Sequence, residues 1–335
     1  LEESIQAYQR AIHIQPDHAD AYSNLGVALQ EQGKLEESIQ AYQRAIHIQP
    51  DHVGTYNNLG NALQEQGKLE ESIQAYQRAI HIQPDHAGTY NNLGNALQEQ
   101  GELEESIQAY QKALKIHPDS AKAYNNLGLI LLLSGDFHRG WKEYEWRWKC
   151  DDFNSEKRNF PQLSWDGTHL NDKSILIWAE QGIGDEIMFT SILPTLSQMT
   201  ERIIIECDLR LVPLFQRSFP QIQFFSRQNP PNLQLLNPDI DYQIPMGSLG
   251  QWLRTNEDSF KQSKQTYLTA CANRFAKIKK RYQILADGKM LVGVSWRSTG
   301  INQRRALLKS TILKDWTSIL SQQDCYFINL QYGDV

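Results

Sequence analysis

The stretch LEESIQAYQRAIHIQPDH begins at Leu1 and returns at Leu35 and at Leu69, 34 residues further on each time. A diverged copy, LEESIQAYQKALKIHPDS, begins at Leu103. Between the copies run AYSNLGVALQEQGK from Ala21, TYNNLGNALQEQGK from Thr55, TYNNLGNALQEQGE from Thr89 and AYNNLGLILLLSGD from Ala123. Self-similarity at a fixed period marks a stacked repeat, in which each unit covers its apolar face with the next. Both halves have helical spacing. Tyr56, Leu59, Gly60 and Leu63 fall at i, i+3, i+4 and i+7, and Leu69, Ile73, Tyr76, Ala79 and Ile80 make a second stripe. Gly67 stands where a short helix–helix turn needs a permissive backbone, and Pro84 stops the second helix. The spacing predicts an α–α solenoid of helix-turn-helix units.

In period, layout and the Tyr/Leu-Gly/Tyr/Ala/Pro positions, these units resemble the tetratricopeptide repeat. The resemblance spans residues 1–152, with full repeats at 19–52, 53–86, 87–120 and 121–152. Residues 1–18 match a second helix alone, so further repeats are expected before them. The resemblance implies a superhelix that binds a protein or peptide.

Composition bounds the rest. A chain of 335 residues predicts more than one domain. A formal net charge of -6 argues against a nucleic-acid partner. Cys150, Cys207, Cys271 and Cys325 form no CxxC pair, which suits a reducing, cytoplasmic setting and offers no metal framework. No apolar run nears the roughly 20 residues of a membrane span, and no signal peptide opens the chain. No metal or cofactor is expected.

First helices of such repeats line a concave face. There the sequence places Asn24, Asn58, Asn92 and Asn126, preceded in three repeats by Asn57, Asn91 and Asn125, with Asn61 and Asn95 one turn on. A carboxamide can donate to and accept from one peptide unit, so a ladder of them could hold an extended backbone without reading its side chains. The repeats of the O-linked N-acetylglucosamine transferases are similar and carry such a ladder. The alternative is that asparagine is simply a solvated polar residue. Seven of the nine histidines are repeat copies, roughly a repeat apart and so too far to ligate one metal together; they read as polar surface groups.

All eight tryptophans lie from Trp141 onward. GWKEYEWRWKCDDF reads as the second helix of the last repeat, made aromatic by Trp141, Tyr144, Trp146 and Trp148, to cap the array on the next domain or, less simply, to stack a ligand. Residues 153–173 read as an irregular linker with a packed Trp165. From Ser174 the pattern alternates. SILIWA, RIIIECD, IQFFS, DYQIPMGSL, MLVGVSWRS and CYFINLQ read as strands separated by helices, so an α/β domain with a parallel sheet is expected. Thr266 to Tyr282 reads as a basic helix with a solvated face.

AEQGIGDEIMFTSILP resembles the first strand–loop–helix of bacterial heptosyltransferase-like GT-B glycosyltransferases, and VGVSWRS followed by RRALLKS resembles the opening of their second lobe. The resemblance covers about Trp165 to Val335. It implies a Rossmann-like GT-B lobe at 174–285 and the start of a second at 286–335, with a nucleotide-sugar as substrate between them. By that resemblance Asp185 is the general base, Gly182 and Gly184 lie by the donor, and Arg297, Ser298 and Lys309 meet its diphosphate, with Arg304, Arg305 and Ser310 nearby. Without it, Asp185 is equally an N-cap and the arginines an ordinary loop. The second lobe is expected to be incomplete at Val335. Two functions follow. Either the repeats recruit a protein acceptor for a glycosyltransferase longer than this chain, or they form a non-catalytic interaction scaffold.

Overall fold

The structure, a computed structural model, describes residues 1–261, 266–296 and 310–331. Two compact units are present: residues 1–212 with 221–265, and residues 213–220 with 266–335.

The first unit opens with nine helices: α1 (Glu2–Ile14), α2 (Ala19–Glu31), α3 (Leu35–Ile48), α4 (Val53–Gln66), α5 (Leu69–Ile82), α6 (Ala87–Gln100), α7 (Leu103–Ile116), α8 (Ala121–Leu133) and α9 (Phe137–Tyr144). Consecutive helices pack on one another, and α2, α4, α6 and α8 also form a layer of neighbours.

The repeated residues explain the packing. Tyr42, Tyr76 and Tyr110 are wholly buried, each ring lying on the glycine of the preceding helix. A Cβ on Gly26, Gly60 or Gly94 would sit 2.5, 2.4 or 2.6 Å from the ring. Ser38, Ser72 and Ser106 donate from Oγ to those same glycine carbonyls at 2.7, 2.7 and 2.8 Å. Each repeat thus locks its two helices by a ring on a bare backbone and one buried hydrogen bond. The turns hold Gly33, Gly67, Gly101 and Gly135 at φ of 81 to 92°, which glycine adopts without strain. His18, His52 and His86 are N-caps: Nδ1 accepts the backbone N–H of Ala21, Thr55 and Thr89. The expectation of plain surface histidines missed this.

The second helix of the last repeat departs from expectation. It ends at Tyr144 after eight residues and tightens into a 3₁₀ turn, Glu145–Lys149. Gly140 takes the place of the buried serine, and its missing Cβ lets α9 approach Leu132 N, which a Cβ would meet at 2.8 Å. The turn carries Trp146 and Trp148, and α9 carries Trp141. Trp146 stacks on Tyr124 of α8, Trp148 packs against Trp178, and Trp141 Nε1 donates to Arg254 O. These rings cap the array on the sheet that follows.

That sheet has five parallel strands: β1 (Leu163–Ser164), β2 (Ile175–Trp178), β3 (Ile203–Cys207), β4 (Gln223–Ser226) and β5 (Tyr242–Pro245), in the order β1-β5-β2-β3-β4. The stretch read as linker therefore contributes an edge strand, and Trp165 beside it is buried. Every residue of β2 is buried, as a central parallel strand requires. The chain runs outward from β2 through β3 to β4, then returns to pair β5 on the other side of β2.

In the second unit, β6 (Met290–Val294) pairs in parallel with β7 (Cys325–Asn329) beside the helix Ala272–Ala286. Arg297, Ser298 and Lys309 lie outside the described residues, as do Arg304 and Arg305.

Candidate functional site: the first-helix face and the sheet crevice

The asparagines of the first helices meet one another. Asn92 Nδ2 donates to Asn57 Oδ1 and Asn61 Oδ1, both at 3.2 Å. Asn126 Nδ2 does the same to Asn91 Oδ1 at 3.2 Å and Asn95 Oδ1 at 3.1 Å. Asn61 and Asn95 also accept from the buried Tyr76 and Tyr110 hydroxyls, and burial raises both phenols above their ordinary range. The ladder is thus a clamp between successive repeats, and it has polarity. The amide of one repeat grips two carbonyls of the repeat before it. This leaves the Oδ1 atoms of Asn92 and Asn126 as acceptors, and the Nδ2 groups of the partly exposed Asn57, Asn61 and Asn95 as donors, whereas Asn91 is buried.

The clamp stops at both ends. The first full repeat has Ser23 and Val27 where the next two have asparagines, so Asn58 has no carboxamide pair to grip, and Asn24 is exposed. In the last repeat Asn125 Oδ1 is buried without a partner, since no asparagine follows to donate to it. A second row runs beside the first: Gln30 Nε2 donates to Glu65 Oε1 at 2.8 Å and Gln64 Nε2 to Glu99 Oε1 at 3.0 Å.

In open parallel sheets, ligands bind beyond the carboxyl ends of the strands where strand order reverses. Here that point lies beyond β2 and β5, and a side chain fills it. Arg147, from the 3₁₀ turn, is fully buried; its Nη2 donates to Glu180 Oε1 at 3.0 Å and to Ser248 Oγ at 2.8 Å. Its Nη1 donates to Glu145 Oε1 at 2.7 Å, and Ser248 Oγ closes the ring onto that same oxygen. Burial pushes the Glu180 carboxyl up to about 6 even with the guanidinium beside it. Nothing in the sequence singles out Arg147 or Glu180, because their pairing joins the last repeat to β2 across the fold. A second buried pair, Arg158 with Glu206, stands at β3.

The loop after β2 carries the other expected residues. Asp185 is half-buried, and its Oδ2 accepts the Gly182 N–H at 3.1 Å, so it serves the first turn of the helix Ile183–Phe189. Gly184 has open space around it. The next residue, Glu186, is buried and accepts from the Asp208 N–H at 2.9 Å. Burial pushes its carboxyl from the ordinary 4.5 up to about 7. Between those two values the folded chain keeps a proton that the unfolded chain has released, so this group's contribution to stability falls as pH rises through that window. Glu186→Gln is expected to flatten the fall, worth up to about 3 kcal/mol. Urea midpoints followed by tryptophan fluorescence at pH 5 and pH 8 check it; a wild-type midpoint that does not drop across the window refutes it. Among the described residues, no cluster of His, Cys, Asp or Glu could hold a metal, and no helix is long and apolar enough to cross a membrane.

Comparison with known proteins fits this architecture. Residues 1–33, 28–67, 60–101 and 94–135 match the family model described as TPR repeat, so the N-terminal region is built of tetratricopeptide repeats. The chain is 29% identical over 209 residues to protein FlbA of Caulobacter vibrioides. That likeness covers 58% of this chain and 34% of FlbA, so the chain spans about a third of that relative's length. Among solved structures, a crystal structure of MamA is 25% identical, with a TM-score of 0.40, over 42% of this chain and 83% of that one. YrrB, a TPR protein with an unusual peptide-binding site, is 17% identical, with a TM-score of 0.40, over 45% of this chain and 77% of its own.

Proposed function

We propose that this protein is an interaction module whose repeats hold an extended segment of another protein along the concave face formed by the first helices. The observation that carries the reading is the polarity of the asparagine clamp, which leaves an ordered row of carboxamide donors and acceptors at repeat spacing. Such a row can match the alternating N–H and C=O groups of a peptide backbone. Asn24 and Asn58 donate to no asparagine of another repeat, so they test recognition apart from folding. The double variant Asn24→Ala/Asn58→Ala is expected to weaken binding of fluorescein-labelled twelve-residue peptides roughly thirtyfold, at about 1 kcal/mol per lost hydrogen bond, with an unchanged melting temperature. Unchanged affinity across the peptide panel removes the ladder from recognition.

Transfer of a sugar from a nucleotide-sugar to the bound protein is a second reading. It is favoured by the parallel sheet and by the Gln181–Asp185 loop at the carboxyl end of β2. In its disfavour, Arg147 and Glu180 fill the crevice, and Asp185 is engaged by the loop itself. Calorimetry with UDP-, ADP- and GDP-sugars separates the two readings. Saturable binding by this chain supports transfer over the scaffold.

A further inference from the structure

Resting on the peptide-binding reading, we infer that the bound segment is basic, with a lysine or arginine about every third residue along the first three full repeats and an apolar side chain over the last. Helices α2, α4 and α6 contain Asp20, Glu31, Glu65 and Glu99 and not one lysine or arginine. The cations of this stretch, from Arg10 to Lys115, lie in the turns and second helices. Glu31, Glu65 and Glu99 each stand seven residues after Asn24, Asn58 and Asn92. Seven residues are nearly two turns, so each glutamate shares a stripe with its asparagine. The glutamates are also positioned: Gln30 and Gln64 hold Glu65 and Glu99 from the preceding repeat. No ion pair formed among the described residues includes Glu31 or Glu99.

The last repeat reverses the pattern. Helix α8 carries Lys122 and no acid, and Leu129 and Leu133 stand where Asn95 and Glu99 stand one repeat earlier. Both leucines are exposed, at 43% and 63%. The face therefore has an acidic run and an apolar end.

Spacing sets the period of the guest. Neighbouring packed helices lie roughly 8–10 Å apart, which three residues of extended or polyproline-like chain span at about 3.1–3.4 Å each. A polyproline-like chain also returns every third side chain to the same side. One basic side chain per repeat thus meets the exposed Glu31 and Glu99, and the partly exposed Glu65 between them adds its charge to the row, while the backbone lies on the carboxamides. A single exposed pair contributes little, but a row of one sign on one face sums.

The test uses fluorescein-labelled twelve-residue peptides with arginine at every third position and leucine at one end, made in both chain directions, with serine-for-arginine and glutamate-for-arginine counterparts. Anisotropy titrations are expected to show the arginine peptide bound in one direction, and the glutamate peptide not bound. The isosteric triple variant Glu31→Gln/Glu65→Gln/Glu99→Gln is expected to bind about tenfold more weakly. Glu37→Gln/Glu71→Gln/Glu105→Gln, which removes as many charges from the second helices, is expected to bind as the wild type does. Circular dichroism confirms that both variants fold. Equal binding of the serine and arginine peptides, or equal weakening by the two triple variants, overturns the charge inference. If the serine peptide binds and loses affinity with Asn24→Ala/Asn58→Ala, the peptide-binding reading survives that failure. If no peptide binds at all, both fall.

Discussion

Arg147→Ala is expected to destabilise the sheet by about 3–5 kcal/mol, the typical loss when one partner of a buried ion pair is removed. The guanidinium holds Glu180, Ser248 and Glu145 together, and Glu180 has no exposure to water. Without it the Glu180 carboxylate is a buried, uncompensated charge. Its carboxyl then keeps a proton to still higher pH, so the loss is expected to be larger at pH 8 than at pH 5. Urea unfolding followed by Trp178 and Trp148 fluorescence reads it. Replacing both partners, Arg147→Met with Glu180→Leu, is expected to recover most of the stability, because apolar residues of similar volume carry no desolvation cost. A loss below about 1 kcal/mol in the single variant would falsify the account of Arg147 as the plug of the crevice.

The second large effect is expected at Gly60→Ala, where two forces oppose. Helix propensity favours alanine by about 1 kcal/mol. The new methyl, however, would sit 2.4 Å from a ring carbon of Tyr76, which is wholly buried and bound through its hydroxyl to Asn61. Overpacking of a filled core costs up to about 3 kcal/mol, so the packing loss wins and the net is about 2 kcal/mol destabilising. The melting temperature of the repeat region is expected to fall by about 4–8 °C. Gly54→Ala, on the same helix but exposed, is the contrast. Its methyl meets only the His52 ring, at 3.3 Å, and its effect is expected to be much smaller. If Gly60→Ala melts at or above the wild type, propensity has won and the ring-on-glycine lock is not what joins the two helices.

Much of the fold is legible because it is periodic. The 34-residue offset fixes the helix pairs, the glycine turns and the buried tyrosines, since each obeys a local rule of spacing or backbone conformation. The strands of the sheet are legible for a similar reason: ILIW and IIIEC are apolar runs of strand length between turn residues. Function is less legible. The asparagine ladder is visible as a row, but not the direction of its hydrogen bonds, which follow from how one repeat stacks on the next. His52 and its copies give no cue to their capping role, because histidine is not among the favoured N-cap residues.

The repeats, then, were determined by the sequence alone, because a repeating unit needs only its neighbours to bury its face. The acidic run on the first helices was likewise present in the order of residues. The tertiary structure decided the break of the last helix into a 3₁₀ turn, whose Trp146 and Trp148 pack on α8 and on β2. It also decided the filling of the crevice, where Arg147 and Glu180, 33 residues apart, come together at the end of β2. A buried charge is stable only beside its partner, and that partnership exists only after the chain has folded.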